Sequence, residues 1–395
     1  MWQKLKNIYH LFTAIAANFI FWFPAKKLNV IGVTGTDGKT TTVSLIYHIL
    51  KESGQKVSML TSIGAMVGDK KYDTGFHVTT PDSFSLQKIL RRAVSAKSKY
   101  FILEVTSHAI DQHRIWGVPF AIAVVTNITS EHLDYHKNYD KYLKTKAKLL
   151  KLSKTAIVNR DDLSYKFLKE EVKNNNRKNW ITYGLTKDCD VNPYTYPQKN
   201  IKGLDEFNKY NLLAAIAVCR TLGLDKEKID KAISTFKMPL GRVDLVYEKK
   251  FKVMIDFAHT PNAFEKVLSS LRKKVKGRII HVFGSAGERD SAKRPVLGEI
   301  SSRYTDIIVL TAEDPRSESA SKIIEEIAEG IKKAKVKVLK IPDRKEAINA
   351  AIRMAAKDDL VIITGKAHER SINYGKGEEP WNEYEVVKQA LSKIQ

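Results

Sequence analysis

Residues 30–42 read VIGVTGTDGKTTT, an apolar strand that runs through a glycine-rich turn into the start of a helix. No other stretch constrains the fold as strongly. A buried strand followed at once by a helix is the first half of a crossover, and crossovers build parallel sheets covered by helices on both faces. Gly35 and Gly38 let backbone N–H groups curl round an anion, and the N-terminus of the next helix adds its dipole. Lys39 is placed to neutralise β/γ-phosphate charge of a nucleoside triphosphate, and Thr40 to offer its hydroxyl to Mg²⁺. The strict G-x-x-x-x-G-K-[ST] spacing is missed by one residue, because Val33 stands at the first glycine position. The stretch points to a nucleoside triphosphate but not to a reaction; a glycine-rich turn without a ligand is the plainer alternative.

The same alternation continues along the 395 residues, a length that fits two or three domains. Strands are expected at Val30–Val33, Tyr100–Val105, Ala121–Val125 and Ala156–Val158, with helices such as Thr41–Ser53 and Ser83–Ser95 between them. Residues 163–200 are polar and turn-rich, and Asn208–Leu222 reads as an apolar helix. A break is expected around Met238–Gly241. Beyond it a second series places strands at Val253–Ile255, Arg278–Val282, Asp306–Leu310, Val336–Ile341 and Leu360–Ile363. The expected class is α/β: an amphipathic segment at 1–27, a P-loop-type central domain with a mainly parallel sheet at 28–238, and a Rossmann-like α/β domain at 239–395.

Composition narrows the partners. A net charge of +23 favours anions such as nucleotide phosphates, nucleic acid or an acidic membrane surface. The lysines are scattered without any RRM, zinc-finger or basic-zipper pattern, so nucleic acid is not expected. Cys189 and Cys219 cannot build a disulfide framework or a cysteine-rich zinc site, and a reducing cytoplasmic setting is the default.

Residues 8–24, IYHLFTAIAANFIFWFP, are flanked by Lys4, Lys6, Lys26 and Lys27. The run falls short of the roughly 20 apolar residues a spanning helix needs, and His10 and Asn18 interrupt it. No small-residue cleavage site follows it. Ile8, Leu11, Phe12, Ile15, Phe19 and Trp22 fall on one helical stripe. Two readings stand: the stripe packs on the chain's own core, or it lies on a membrane with its lysines at the headgroups.

The form GTDGKTT resembles the Mur ligase family of ATP-dependent amide-forming enzymes. Further segments follow in the order of the family's tripeptide-synthetase branch. They are TTP at Thr79–Pro81, LEVTSHAIDQHR at Leu103–Arg114, NITSEHLDYH at Asn127–His136, the Tyr142 to Lys146 spacing and FNKYN at Phe207–Asn211. GR at Gly241–Arg242, DFAHTPN at Asp256–Asn262, GERDSAKRP at Gly287–Pro295, EDPRSE at Glu313–Glu318 and GKAHE at Gly365–Glu369 complete the series. Any one is weak; ten in order, across about residues 28–385, are specific.

The resemblance implies a two-step reaction. ATP phosphorylates a peptide carboxylate, and an amino acid's amine then displaces phosphate from the acyl phosphate. Such a site must supply positive charge where phosphoryl charge spreads. Gly35, Thr36, Asp37, Gly38, Lys39, Thr40 and Thr41 would hold ATP, with Asn208 and Asn211 near the base, and Arg242 and Asp256 on phosphate and ribose. Glu104 ends the apolar strand FILEV, where open α/β sheets place ligands, and its carboxylate suits Mg²⁺. A capping or salt-bridging carboxylate is its ordinary alternative. By resemblance Glu104 and Thr40 serve the nucleotide's Mg²⁺, and His132 helps hold a second. Lys146 lies in KYLKTKAKLLKLSK, which by itself reads as a basic helix face. The family instead carbamylates this lysine with CO₂, turning a cation into an anionic metal ligand.

Thr79, Thr80, Thr106, Gln112 and Arg114 match family positions that hold a muramyl-peptide acceptor. Arg289, Glu313, Asp314, Arg316, Gly365 and Glu369 match those around the incoming amino acid. A cation at 316 suits a diamino acid with an extra carboxylate, as in meso-diaminopimelate. The chain departs from that pattern at Glu313–Asp314 for Asp-Asn, Ala367 for glycine and Asn262 for Asp. Full-length members of the tripeptide-synthetase branch carry a UDP-binding domain ahead of the phosphate loop, which here begins near residue 30. The acceptor is therefore expected to be UDP-linked and held without that handle, or lipid-linked and met at the inner membrane surface through residues 1–27. A folylpolyglutamate synthetase-like ligase and a non-enzymatic basic P-loop protein binding nucleic acid or membrane are the rival readings.

Overall fold

The computed structural model describes residues 2–73, 75, 79–129, 133–172, 179–197, 204–332 and 336–394. The chain divides into two compact units between Lys237 and Met238.

In the first unit the described strands are β1 (Asn29–Thr34), β2 (Val57–Thr61), β3 (Gly64–Val67), β4 (Lys70–Tyr72), β5 (Tyr100–Glu104), β6 (Phe120–Val125), β7 (Ser153–Asn159) and β8 (Asn179–Tyr183). They form one sheet in the order β4-β3-β2-β5-β1-β6-β7-β8, parallel from β2 to β8, with β3 and β4 added antiparallel. The helices are α1 (Trp2–Ile20), α2 (Lys39–Glu52), α3 (Ser83–Ser95), α4 (Ser107–Asp111), α5 (Leu133–His136), α6 (Tyr139–Leu152), α7 (Tyr165–Val172), α8 (Glu206–Thr221) and α9 (Lys226–Thr235). Alternate strand residues face opposite cores, because side chains in a strand alternate. Val30, Phe101, Leu103 and Ala123 pack with α3 and α6, whereas Ile31, Val33, Ile102 and Val124 pack with α2, α8 and α9. Both faces being covered, the central strands read as continuous apolar runs. β1 lies between β5 and β6, so the strand order reverses beside it and a crevice opens at its carboxyl end.

The stretch 163–200, expected to be polar and turn-rich, also contains α7 and β8. β8 ends the sheet, paired along its length with β7 and bridged at Tyr183 to Val191, and a strand at the end of a sheet need not be apolar along its whole length. Helix starts carry local signals: Asp82 accepts from Phe84 N and Ser85 N at the head of α3, and Asn138 accepts from Lys141 N at the head of α6.

In the second unit β9 (Asp244–Glu248), β10 (Lys252–Asp256), β11 (Ile279–Phe283), β12 (Ile307–Leu310), β13 (Lys337–Lys340) and β14 (Leu360–Thr364) form a sheet in the order β13-β12-β11-β14-β10-β9, antiparallel only at β9. β15 (Ser371–Asn373) and β16 (Glu378–Pro380) form a separate hairpin. The helices are α10 (Pro261–Lys274), α11 (Lys293–Tyr304), α12 (Ala320–Ala328), α13 (Arg344–Met354) and α14 (Glu383–Ser392). Pro261 opens α10 where its missing N–H costs nothing, and Thr260 caps Ala263 N. α13 is tied to α14 by Arg344 and Glu383, both fully buried and 2.5 Å apart.

The amphipathic segment forms α1, but of its apolar stripe only Leu11 and Ile15 are half-buried, and the larger part does not pack on the chain's own core as one reading expected. Ile8, Phe12, Phe19 and Trp22 are exposed, while Ala14, Ala17 and Asn18 are fully buried. α1 lies on α3 through its small residues, which allow close approach. Asn18 Nδ2 donates to the carbonyl of Trp116 at 2.8 Å, and a Cβ on Gly117 would come within 2.5 Å of Asn18 Oδ1. Among the described residues no helix is long and apolar enough to cross a membrane.

Candidate active site

The turn between β1 and α2 sits at the sheet's reversal point. Gly35 and Gly38 have φ of +150° and +81°. A Cβ at Gly35 would lie 1.8 Å from Thr126 Oγ1, and one at Gly38 would lie 2.2 Å from Asn211 Oδ1, so both glycines are required sterically. The loop is braced from the segment after β6. Thr36 N donates to Asn127 O, Asp37 N to Asn127 Oδ1, and the carbonyl of Asp37 accepts from Thr126 Oγ1 and Asn127 Nδ2. Lys39 Nζ folds back onto Thr36 O at 2.7 Å. Thr40 and Thr41 are buried in the first turn of α2.

Val33 and Glu104 are register partners on β1 and β5, which brings the Glu104 carboxylate to the start of α2. Glu104 Oε2 accepts from Thr40 Oγ1 at 3.0 Å and from Ser62 N at 3.2 Å. Lys146 is 1% exposed, and its Nζ donates to Gly35 O at 2.6 Å while lying 4.5 Å from the Tyr142 ring centroid. It is therefore not part of a solvated basic helix face. α6 turns Tyr142, Leu143, Lys146, Ala147, Leu149 and Leu150 inward, and its other lysines lie outside that buried set. Tyr142 OH also meets Thr36 Oγ1 at 3.2 Å. His132 lies outside the described residues.

These groups fit a nucleotide with a hard divalent cation: a glycine cradle that side chains would fill, a hydroxyl and a carboxylate in contact, and two amines on the loop's carbonyls. Among the described residues no cluster of three or more His, Cys, Asp or Glu is present. Asn211 Nδ2 donates to Asn208 Oδ1, and Thr42 Oγ1 to Asn211 Oδ1, which sets this pair against Gly38 and α2.

Four of the five expected acceptor residues, Thr80, Thr106, Gln112 and Arg114, converge. Thr80 Oγ1 donates to Glu104 O and accepts from Thr106 N, while Thr106 Oγ1 caps α4 at Ala109 N. Arg114 Nη1 donates to Thr80 O at 2.7 Å, and its Nε and Nη2 both reach Gln112 Oε1. Thr79 is the neighbour of Thr80 in the chain.

In the second unit the expected residues gather at the carboxyl ends of β10, β11, β12 and β14, adjacent strands of that sheet. Asp256 ends β10 and accepts from Val243 N and Ala258 N, both at 2.7 Å; burial raises its carboxyl pKa, with Arg242 opposing. Arg242 lies over the Phe257 ring. Glu313 is buried, which raises its pKa, and a Cβ on Gly365 would come 2.6 Å from its Oε2. Lys366, fully buried, donates to both Asp314 oxygens at 3.0 and 2.9 Å and pairs with Glu369 at 2.7 Å. Arg316 has φ of +55° and donates from Nη1 to Gly287 O at 2.8 Å. Arg289 is exposed on the loop that follows. Ala367, where glycine was expected, holds φ of +43°, the backbone region that makes glycine the easier residue.

Sequence reasoning missed Ser62, Thr126 and Lys366. Ser62 and Thr126 follow β2 and β6 and carry only the weak signal of a hydroxyl at a strand's carboxyl end. Lys366 lies within GKAHE, where a lysine between Gly365 and Glu369 has the sequence signature of surface charge.

Residues 33–219 match the Mur ligase middle domain, and residues 241–367 match the Mur ligase, glutamate ligase domain. The chain is 37% identical to UDP-N-acetylmuramoyl-L-alanyl-D-glutamate–2,6-diaminopimelate ligase 1 of Clostridium acetobutylicum, over 96% of this chain and 81% of that protein. A solved UDP-N-acetylmuramoyl-L-alanyl-D-glutamate–2,6-diaminopimelate ligase is similar with a TM-score of 0.62 and 26% identity, covering 93% of this chain and 79% of that one. Mycobacterium tuberculosis folylpolyglutamate synthase, solved with ADP and AMPPCP, has a TM-score of 0.71 at 15% identity over 97% and 95% of the two chains, a likeness of fold alone. With both domain models matched in order, and a glycine cradle at the reversal point of the first unit's sheet, this chain belongs to the Mur ligase family.

Proposed function

We propose that this chain is an ATP-dependent ligase that adds meso-diaminopimelate to a muramyl-L-alanyl-D-glutamate acceptor in peptidoglycan synthesis. The observation that carries the choice of amino acid is Arg316. Its backbone and its Nη1 are tied to the hairpin residue Asn373 and to Gly287, which holds a guanidinium at the carboxyl edge of the sheet near the Asp314–Lys366–Glu369 group. A fixed guanidinium pairs well with a carboxylate at the far end of the incoming amino acid. Lysine lacks that carboxylate.

The residues divide the work. Backbone N–H groups from Gly35 to Thr41 cradle the phosphates, and Lys39 turns from Thr36 O towards them. Arg114, with Gln112 and the threonines 79, 80 and 106, orients the acceptor carboxylate. Asn208, Asn211, Arg242 and Asp256 hold the nucleotide's remaining parts. Arg289, Glu313, Asp314, Gly365 and Glu369 surround the amino acid, the carboxylates facing its ammonium. Thr40, Glu104 and Lys146, with His132, would hold Mg²⁺, which when bound supplies positive charge for the transferred phosphoryl group. Lys146 takes this part as a carbamate: its neutral amine adds to CO₂ and loses a proton, giving an anionic oxygen ligand. A cytoplasmic location with peripheral membrane contact through residues 1–27 fits the same reading.

The test is phosphate release from ATP with Mg²⁺ and UDP-muramoyl-L-alanyl-D-glutamate, comparing meso-diaminopimelate, lysine, glutamate and no amino acid. Release that depends on diaminopimelate is expected. Release with lysine or glutamate instead would overturn the assignment of Arg316, and none with any amine would overturn the acceptor.

A further inference from the structure

α1 has two faces with different chemistry. The inner one is hydrogen-bonded into the first unit. Asn7 Nδ2 donates to Asp111 Oδ2 at 3.0 Å, an oxygen that also accepts from Tyr135 OH, and Tyr135 OH in turn accepts from Gln112 Nε2. That chain of contacts ends on Arg114. The helix is thus fastened to the side-chain group read above as the acceptor site.

The outer face is apolar and bare. Ile8, Tyr9, Phe12, Phe19 and Ile20 are all more than half exposed, with Phe12 at 67% and Phe19 at 63%. Trp22, 81% exposed, extends the stripe past the helix end. The helix closes with Phe23 N bonded to Asn18 O and Trp22 N to Phe19 O, a Schellman pattern whose left-handed position is normally glycine. Here Trp22 has φ of +60° and Phe23 φ of +47°. Two large aromatics in that region cost free energy that nothing within the folded unit recovers at Trp22, since its ring faces solvent.

Charge identifies what covers this face. The chain has no Asp or Glu before Asp37, while Lys6, Lys26 and Lys27 are exposed at the two ends of the stripe. Lysines flanking a stripe of aromatics and isoleucine match an anionic headgroup layer over acyl chains. We propose that α1 lies in the plane of an anionic bilayer, outer face down, and so holds the acceptor group of residues 79–114 at the membrane surface. The inference rests on the acceptor reading only for its last clause; the docking face stands by itself.

The test is flotation of the full chain with phosphatidylcholine vesicles that do or do not contain phosphatidylglycerol, at low and high salt. Flotation with the anionic vesicles, weakened by salt, is expected. The triple variant Phe12→Glu/Phe19→Glu/Trp22→Glu should lose it by at least about tenfold, with its melting temperature changed little because all three side chains are mostly exposed and the Phe19 ring only meets Phe23 edge-on. Wild-type chain that stays at the bottom, or a variant that floats equally well, overturns the proposal. So does a wild-type dimer that the triple variant converts to monomer, since a second copy would then cover the face. Phosphate release with the water-soluble UDP-linked acceptor should be the same for variant and wild type, so a failed flotation leaves the ligase reading untouched.

Discussion

Lys146 and Gly35 lie 111 residues apart, yet the Nζ of one donates a 2.6 Å hydrogen bond to the carbonyl of the other. A fully buried amine is thereby fixed on the phosphate loop, with Thr36 and Tyr142 beside it. On the proposed function that amine becomes a metal ligand once carbamylated, since a protonated lysine there would repel the cation that the nucleotide brings.

Lys146→Ala should lower diaminopimelate-dependent phosphate release by about 100-fold or more, the scale of losing one electrostatic group in a closed site. Added acetate should restore part of the rate to the alanine variant, because the site needs an anionic oxygen. Lys146→Arg should stay inactive. Activity in the arginine variant would show that a plain cation suffices.

Glu104→Gln keeps a carbonyl to accept from Thr40 and Ser62 but removes the charge. The Mg²⁺ concentration for half-maximal activity should rise by about tenfold, roughly 1.4 kcal/mol of lost metal binding. Thermal unfolding without nucleotide should change little. An unchanged Mg²⁺ dependence would assign Glu104 a structural part only.

Gly38→Ala forces a Cβ into a site with φ of +81° and 2.2 Å from Asn211 Oδ1. The left-handed conformation alone costs about 1–2 kcal/mol, and the clash adds to it. Melting temperature and ATP affinity should both fall. Adding Asn211→Ala should recover part of the stability, which a purely conformational penalty would not allow.

Arg344 and Glu383 are fully buried, with two hydrogen bonds between them and further ones from Arg344 to Ala312 O and Thr364 O. Arg344→Met leaves a buried carboxylate unpaired and should destabilise the second unit by about 3–5 kcal/mol. Changing both, Arg344→Met with Glu383→Leu, should cost less than the single change. Denaturant unfolding of the three chains measures this.

Glu318 accepts from Arg294, and that bond lowers its pKa from 4.5 to about 2. A depressed folded-state pKa means its contribution is complete above pH 4.5 and drains away as pH falls towards 2. Glu318→Gln should therefore be less stable than wild type at neutral pH. The difference should shrink between pH 4.5 and 2 in acid unfolding curves, and a gap that stays constant would remove the ion pair as its cause.

Much of the architecture was readable from local pattern. Val30–Val33, Tyr100–Val105 and Leu360–Ile363 lie within a residue of β1, β5 and β14, because strands buried on both faces leave an apolar run that little else produces. The glycine loop and the ordered motifs likewise placed most of the candidate residues. α7 and β8 escaped, being short and at an edge.

Periodicity by itself determined that residues 8–22 would be helical and amphipathic, and that a glycine turn would lead a strand into a helix. Which stripe of α1 meets the protein was decided only by tertiary structure. Ala14, Ala17 and Asn18 are buried, Asn18 fitting closely against Gly117 and Trp116, while the bulky aromatics Phe12, Phe19 and Trp22 stay exposed. The same holds for Lys146, whose neighbours in sequence make it one basic residue among many and whose neighbours in space make it a buried amine on a phosphate loop. Secondary structure follows from interactions within a few residues, which the sequence displays directly. Burial and charge pairing depend on groups distant in the chain, from the 39 residues between Arg344 and Glu383 to the 111 between Lys146 and Gly35, which meet only once the sheets have assembled.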